Sequence, residues 1–293
     1  MKTGKLIPLD RKRRLITKVR QYTSNAERFF SDSFSAVTLF LDALPHADSG
    51  MLSKMLPLLG SVGDDRVLWP LFDLISSGPM DESLRTSTAI HLALAASLCE
   101  NPLAIRNAMI ERLDDPDAAI RSSCALSLGW EGNGPAVKPL AAHLCDPDHE
   151  VRAAVVAALS SIEDENVLSL LQERIKCGTK DEQRLIFLHL WRFRKYLHRV
   201  EDIYIENMVG ADADLQLDML AGLAMLPFSA KQLDLYRLFV TDGNARVRRQ
   251  VLKNLSAVSP FEYDALKTPL RKLLVDEDAQ VRQAAIKLFT RIK

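Results

Sequence analysis

The sequence lacks any pair of cysteines at the C-x-x-C spacing of redox and zinc motifs. Cys99, Cys124, Cys145 and Cys177 are scattered, which points to reduced thiols rather than to disulfides or a metal site. Aromatic residues are sparse at 6%, and glycine and proline number 12 and 13 in 293 residues, too few for a disordered chain. No apolar run approaches the roughly 18 residues of a membrane span. The start, MKTGKLIPLDRKRR, has no apolar signal core, so a cytoplasmic location is expected. The usual catalytic signatures are missing as well: there is no GxxxxGK[ST] phosphate loop, no GxSxG elbow and no HExxH helix. No catalytic residue, cofactor or metal is therefore assigned, and a non-enzymatic protein is expected. A formal net charge of zero, from 38 basic and 38 acidic residues, argues against a surface built wholly for nucleic acid.

What the chain has in abundance is self-similarity. ERLDDPDAAIRSSCALSLGW and AHLCDPDHEVRAAVVAALSSI align on Arg121 and Arg152, and the pattern returns around Arg248 and Arg282. Weaker copies in register put Ser53, Arg85, Arg184 and Gln216 in the same column, with steps of 31 to 36 residues. Four places earlier stand Ser49, Asp81, Asp117, Asp148, Lys180, Asp212, Asn244 and Asp278. Seven of these eight are residue types that cap a helix by accepting from first-turn N–H groups. At Lys180 the neighbouring Asp181 is expected to take the role. One place before the anchor and seven after it the columns are mainly apolar, as in Ile120 and Leu128 or Val247 and Leu255, with Cys124, Val155, Met219 or Val251 between. These offsets share one helix face. Only Gln183 interrupts the first of those columns. A further helix precedes each cap, as in NVLSLLQERI from Asn166 or FEYDALKTPLRKLLV from Phe261. The unit is thus an antiparallel helix pair of roughly 32 residues, and the fold an all-α solenoid over residues 35–293.

The columns D-x-D-x-x-[VI]-R-x-x-[AVC]-[AVLI]-x-x-L resemble HEAT repeats, most closely the short HEAT-like repeats of the phycobilisome-lyase type. The resemblance implies a right-handed superhelix of about eight helix pairs with a concave face. It also implies a structural ladder between adjacent units, made by the Asp six places before each Arg and that Arg. The matching residues are Asp115 and Arg121, Asp146 and Arg152, Asp242 and Arg248, and Asp276 and Arg282.

Two segments stand apart from the repeat. Residues 1–34 form a basic arm and capping helix, the helix expected from Asp10 to about Phe30. Residues 1–28 carry nine Lys or Arg, among them Arg11, Arg13 and Arg14, against Asp10 and Glu27. In LIFLHLWRFRKYLHRVEDIYIE, aromatic residues interleave with Arg192, Arg194, Lys195, Tyr196, His198 and Arg199. Trp191 falls in the apolar column of Leu128 and Leu159, so a core position is expected for it, with the basic residues at the end of that helix. Arg and Tyr are enriched at interface hot spots, and these residues are candidates for contact with a protein or peptide partner. The leading expectation is a scaffold or adaptor. Two alternatives rest on resemblance: a bilin-lyase-like accessory subunit, or a nucleic-acid-binding protein similar to the HEAT-like alkylpurine DNA glycosylases. His143, Cys145 and His149 are close in sequence but straddle a helix end, a turn and a new helix, and three ligands fall short of a structural zinc site.

Overall fold

The computed structural model describes residues 9–77, 80–130, 134–258 and 266–291, with backbone alone at 9–11, 77 and 130. Among them are eighteen α-helices and no strand. The chain divides into two compact units, Met1–Ile162 and Glu163–Lys293.

The first unit contains α1 (Leu9–Thr23), α2 (Ala26–Ser31), α3 (Ser33–Ala43), α4 (Ser49–Gly60), α5 (Leu68–Ser77), α6 (Glu82–Leu98), α7 (Leu103–Glu111), α8 (Ala118–Trp130), α9 (Val137–Ala142) and α10 (His149–Ile162). The single helix expected from Asp10 to Phe30 is two helices. Asn25 divides them because its side chain accepts from the Arg28 N–H and so caps α2. Val19 of α1 is fully buried, and Tyr22 packs edge-on against Phe29 and Phe40 at centroid distances of 6.4 and 6.3 Å.

From α4 onward a solenoid rule takes over. Helices α4, α6, α8 and α10 pack in succession, and α5, α7 and α9 each lie against the helix that follows. Every helix must bury its one apolar stripe against a neighbour, and stacking achieves this without a long-range core. Ile120, Cys124 and Leu128 of α8 are buried, as are Val151, Val155 and Leu159 of α10. Burial pushes the Cys124 thiol up to about 12, so it behaves as a small apolar residue. Stacking is tightest between α8 and α10, where a Cβ on Gly129 would lie 2.2 Å from the Ala158 Cα.

The second unit contains α11 (Glu165–Cys177), α12 (Lys180–His189), α13 (Leu197–Met208), α14 (Ala213–Leu223), α15 (Ala230–Phe239), α16 (Ala245–Ser256), α17 (Lys267–Leu273) and α18 (Ala279–Arg291). Here α12, α14, α16 and α18 stack in succession, and α11, α13, α15 and α17 pack against their following helices. The helix expected from Phe261 begins at Lys267, and residues 261–265 lie outside the described residues.

Asp81, Asp117, Asp148, Asp212, Asn244 and Asp278 all accept from first-turn N–H groups. Two caps differ from the sequence expectation. Asp48 rather than Ser49 caps α4, accepting from Met51 N at 2.8 Å. At α12 the cap is Thr179, not Asp181. Its hydroxyl accepts from Glu182 N while the Glu182 carboxylate accepts from Thr179 N, a reciprocal box that satisfies two end groups at once.

Candidate partner-binding site

The Arg column sets the frame on which any site is held. Arg121 donates through Nη1 to the Asp115 carbonyl at 2.9 Å. Its Nε and Nη2 reach Asp146 of the next repeat at 2.9 and 2.8 Å. Arg248 repeats the geometry, with Nη1 to the Asp242 carbonyl at 2.8 Å and Nη2 to Asp276 at 2.7 Å. Arg152 and Arg282 also donate to the carbonyls of Asp146 and Asp276. Each matched Asp–Arg pair therefore meets through the backbone carbonyl. The carboxylate instead accepts from its own turn, as in Asp146 Oδ1 from Asp148 N at 2.9 Å. Arg184 departs from the rule, since the equivalent Asp position in the next repeat is Gly210. It pairs with Asp218 on α14 at 2.6 Å instead.

Burial works against ionisation of Asp146, but the bonds from Arg121 and the Asp148 N–H outweigh it and hold the carboxyl below its usual value. The Asp146 hydrogen bond in turn holds the Arg121 guanidinium up.

The aromatic and basic segment of the second unit is a built turn rather than a helix end. Helix α12 stops at His189, and two single 3₁₀ turns follow, Leu190–Arg192 and Arg194–Tyr196. Core filling falls to Leu190 and Phe193, both fully buried, and Trp191 is only half-buried. This corrects the core position expected for Trp191: the loss of α-helical twist after His189 rotates the column by one residue. Trp191 Nε1 donates to the Leu188 carbonyl at 2.9 Å, and the guanidinium carbons of Arg192 and Arg194 lie 5.3 and 5.7 Å from its ring centroid, within cation–π range.

The basic residues of the turn and of the start of α13 divide by task. Arg199 clamps α13 to α11, donating to Ser169 Oγ at 2.9 Å and Gln172 Oε1 at 3.1 Å, with Glu165 at 3.4 Å. Arg192 and Tyr196 are half-buried, and burial draws the Arg192 guanidinium down from its usual value. Arg194, Lys195 and His198 are exposed, and none has an ion-pair partner among the described residues. In the first unit, Arg13 and Arg14 of α1 are exposed. Arg11 lies in α1 with its side chain outside the described residues.

His189, the last residue of α12, directly precedes this turn. Burial, and then the charge of Arg192, pull its imidazole down to about 4, and its Nδ1 has no hydrogen-bond partner among the described residues. The folded protein refuses a proton that the unfolded chain, near 6.5 for a free histidine, accepts. Its contribution is therefore full above about pH 6.5 and is lost as the pH falls toward 4. Urea unfolding is expected to show about 2–3 kcal/mol less stability at pH 4.5 than at pH 7. In His189→Gln, neutral at both pH values, most of that difference should vanish; an unchanged pH dependence would refute the assignment to His189.

Some anchoring residues carried no signal in the repeat columns. Ser127 Oγ donates to the Ala89 carbonyl of α6 at 2.9 Å. Asn254 Nδ2 donates to the Leu220 carbonyl of α14 at 2.8 Å and to Tyr236 Oη at 3.1 Å. Both stand six places after their anchor Arg and bind the carbonyl four places after the preceding anchor. A polar residue at that offset within the apolar stripe was the available clue. Of the three residues weighed as metal ligands, His143 faces the Pro139 carbonyl at 3.0 Å and Asp114 at 3.3 Å.

Residues 105–187 match the family model described as HEAT repeats. Among solved structures, the complex of CpcE and CpcF of phycocyanin lyase from Nostoc sp. PCC7120 is similar at 18% identity. That match covers 77% of this chain and 94% of the other, with a TM-score of 0.40. An engineered protein is similar at 14% identity, over 88% of this chain and 78% of the other, again with a TM-score of 0.40. No curated protein matches the sequence.

Proposed function

We propose that this chain, whose residues 105–187 match HEAT repeats, is a non-enzymatic scaffold that holds a protein or peptide partner through the segment 190–199, the turn and the start of α13. One observation carries this reading. Arg194 and Lys195 are exposed without an ion-pair partner among the described residues, as are Lys176, Lys253 and Lys272 of the same unit, but they adjoin the half-buried Trp191, whose ring centroid lies 5.7 Å from the Arg194 guanidinium carbon. The turn is fixed in advance: Phe193 anchors it in the core, the Trp191 N–H is bound, and Arg199 ties the following helix down. A preorganised aromatic and cationic surface of this kind favours binding, because little side-chain freedom is lost on contact.

The test is affinity capture at moderate salt, with and without nuclease, using the wild-type protein and Arg194→Glu/Lys195→Glu. A specific protein is expected in both nuclease arms, with recovery at least tenfold lower for the double variant, about 1.4 kcal/mol. Circular dichroism should be unchanged, since both side chains are exposed. Equal capture by the variant would remove the turn from the interface. Capture abolished by nuclease would move the assignment to nucleic acid, whose binding falls steeply with salt.

A further inference from the structure

The one polar interruption of the apolar column before each anchor, Gln183, opens onto a cavity of about 290 Å³ in the second unit. Its apolar floor is Ile175, Phe187 and Met219, which are 4%, 2% and 0% exposed. Gln183, Glu206 and Asn207 supply its polar side chains. Acceptors outnumber free donors in that trio. Gln183 Nε2 donates to the Ile175 carbonyl at 2.7 Å, and Asn207 Nδ2 donates to the Ile203 carbonyl at 2.7 Å. Each amide nitrogen gives one of its two N–H groups to a helix carbonyl, which leaves each amide one N–H and its oxygen, and Glu206 when ionised can only accept. The nearby cation that feels the Glu206 charge, Lys231, pairs with Asp202. Glu206 itself has no ion-pair partner among the described residues.

The exposed Glu206 carboxylate and two amide oxygens beside an apolar floor favour a group with several donors, positive charge and an aliphatic stem. We propose that this cavity receives an alkylammonium or alkylguanidinium group, as carried by a free amine or by a lysine or arginine side chain of a partner. An anion would meet the Glu206 carboxylate. A neutral apolar molecule would leave the carboxylate and the remaining polar groups of both amides without partners, which is costly wherever water is displaced. The volume lies just below the roughly 300–1,000 Å³ of drug-sized pockets, which suits one side chain rather than a cofactor. The inference does not depend on the role of residues 190–199, since no residue is shared.

The experiment is calorimetric titration of the full chain at low salt with n-butylguanidinium and n-butylammonium, with butyrate and butanol as matched controls. Saturable binding of the two cations and none of the controls is expected. Glu206→Gln, at an exposed position, should weaken the cations at least tenfold, and Gln183→Leu, which restores the repeat's own residue type, several-fold. Comparing agmatine with N-acetylarginine methylamide then tells a free amine from a partner's side chain, by which of the two binds more tightly. Failure of both cations to saturate would overturn the proposal, as would equal affinities for the wild type and both variants. Partner capture by Arg194→Glu/Lys195→Glu is a separate readout, so failure of one assignment leaves the other standing.

Discussion

Arg248→Ala is expected to lower the unfolding free energy by about 3–5 kcal/mol, the range for breaking a buried ion pair from one side. The Arg248 side chain is 6% exposed and Asp276 8% exposed. Removing the guanidinium strands the Asp276 carboxylate and takes the donor from the carbonyls of Asp242 and Gly243. Arg282 is the internal control. It makes the same loop contacts, to the carbonyls of Asp276 at 2.6 Å and Glu277 at 3.1 Å, in a half-buried setting. Arg282→Ala should cost only about 1 kcal/mol. Chemical denaturation of the two variants decides the matter, and equal losses would mean that the bridge to the next repeat contributes nothing. The same pair sets a pH window. Burial disfavours the ionised form of Asp276, but the bonds from Arg248 and the Asp278 N–H win and keep its carboxyl below the usual value. Its stabilisation is present above the unfolded value, near 3.9, and is lost as the pH falls through the lower folded value. That acid loss lies below the window of His189, so the two are separable in one titration.

Gly129→Ala is the second large effect, an expected loss of about 3 kcal/mol, at the upper end of overpacking penalties. The added methyl would stand 2.2 Å from the Ala158 Cα and 2.5 Å from its Cβ. A backbone atom cannot swing aside as a side-chain tip can, so α8 and α10 must part along their length. The better helix propensity of alanine, about 1 kcal/mol, offsets only a fraction. Gly134→Ala, where no atom of the described residues lies within 4 Å of the added Cβ, should change stability by less than about 0.5 kcal/mol. Thermal unfolding of the two variants is the check: a Gly129→Ala protein as stable as Gly134→Ala would show that the two helices are not in forced contact.

Both predictions concern contacts between repeats, and here sequence and structure part company. The caps at Asp117, Asp148 and Asn244 and the stripes of Ile120, Cys124 and Leu128 were legible because each involves residues within a few places of one another. Local offsets in a helix convert directly into shared faces and shared hydrogen bonds. The 190–199 segment was legible as a cluster but not as a turn. Its apolar spacing, read as helix, put Trp191 in the core, whereas Leu190 and Phe193 occupy it. Two helical signals competed there, and packing of Phe193 decided between them.

The sequence alone determined that the chain is helical and repetitive, that Asp and Arg recur six places apart, and that basic residues gather at 192–199. Only the tertiary structure decided which carboxylate each arginine takes. Asp146 lies 25 residues beyond Arg121, and Asp276 lies 28 beyond Arg248. In each case the Asp six places before the Arg offers its carbonyl instead. A guanidinium has donors on more than one side, and which acceptor meets the second side depends on how closely one repeat stacks on the next. The same reason hid Gly129 and the cavity beside Gln183, since neither close approach nor empty space between helices has any trace in the spacing of residues along one of them.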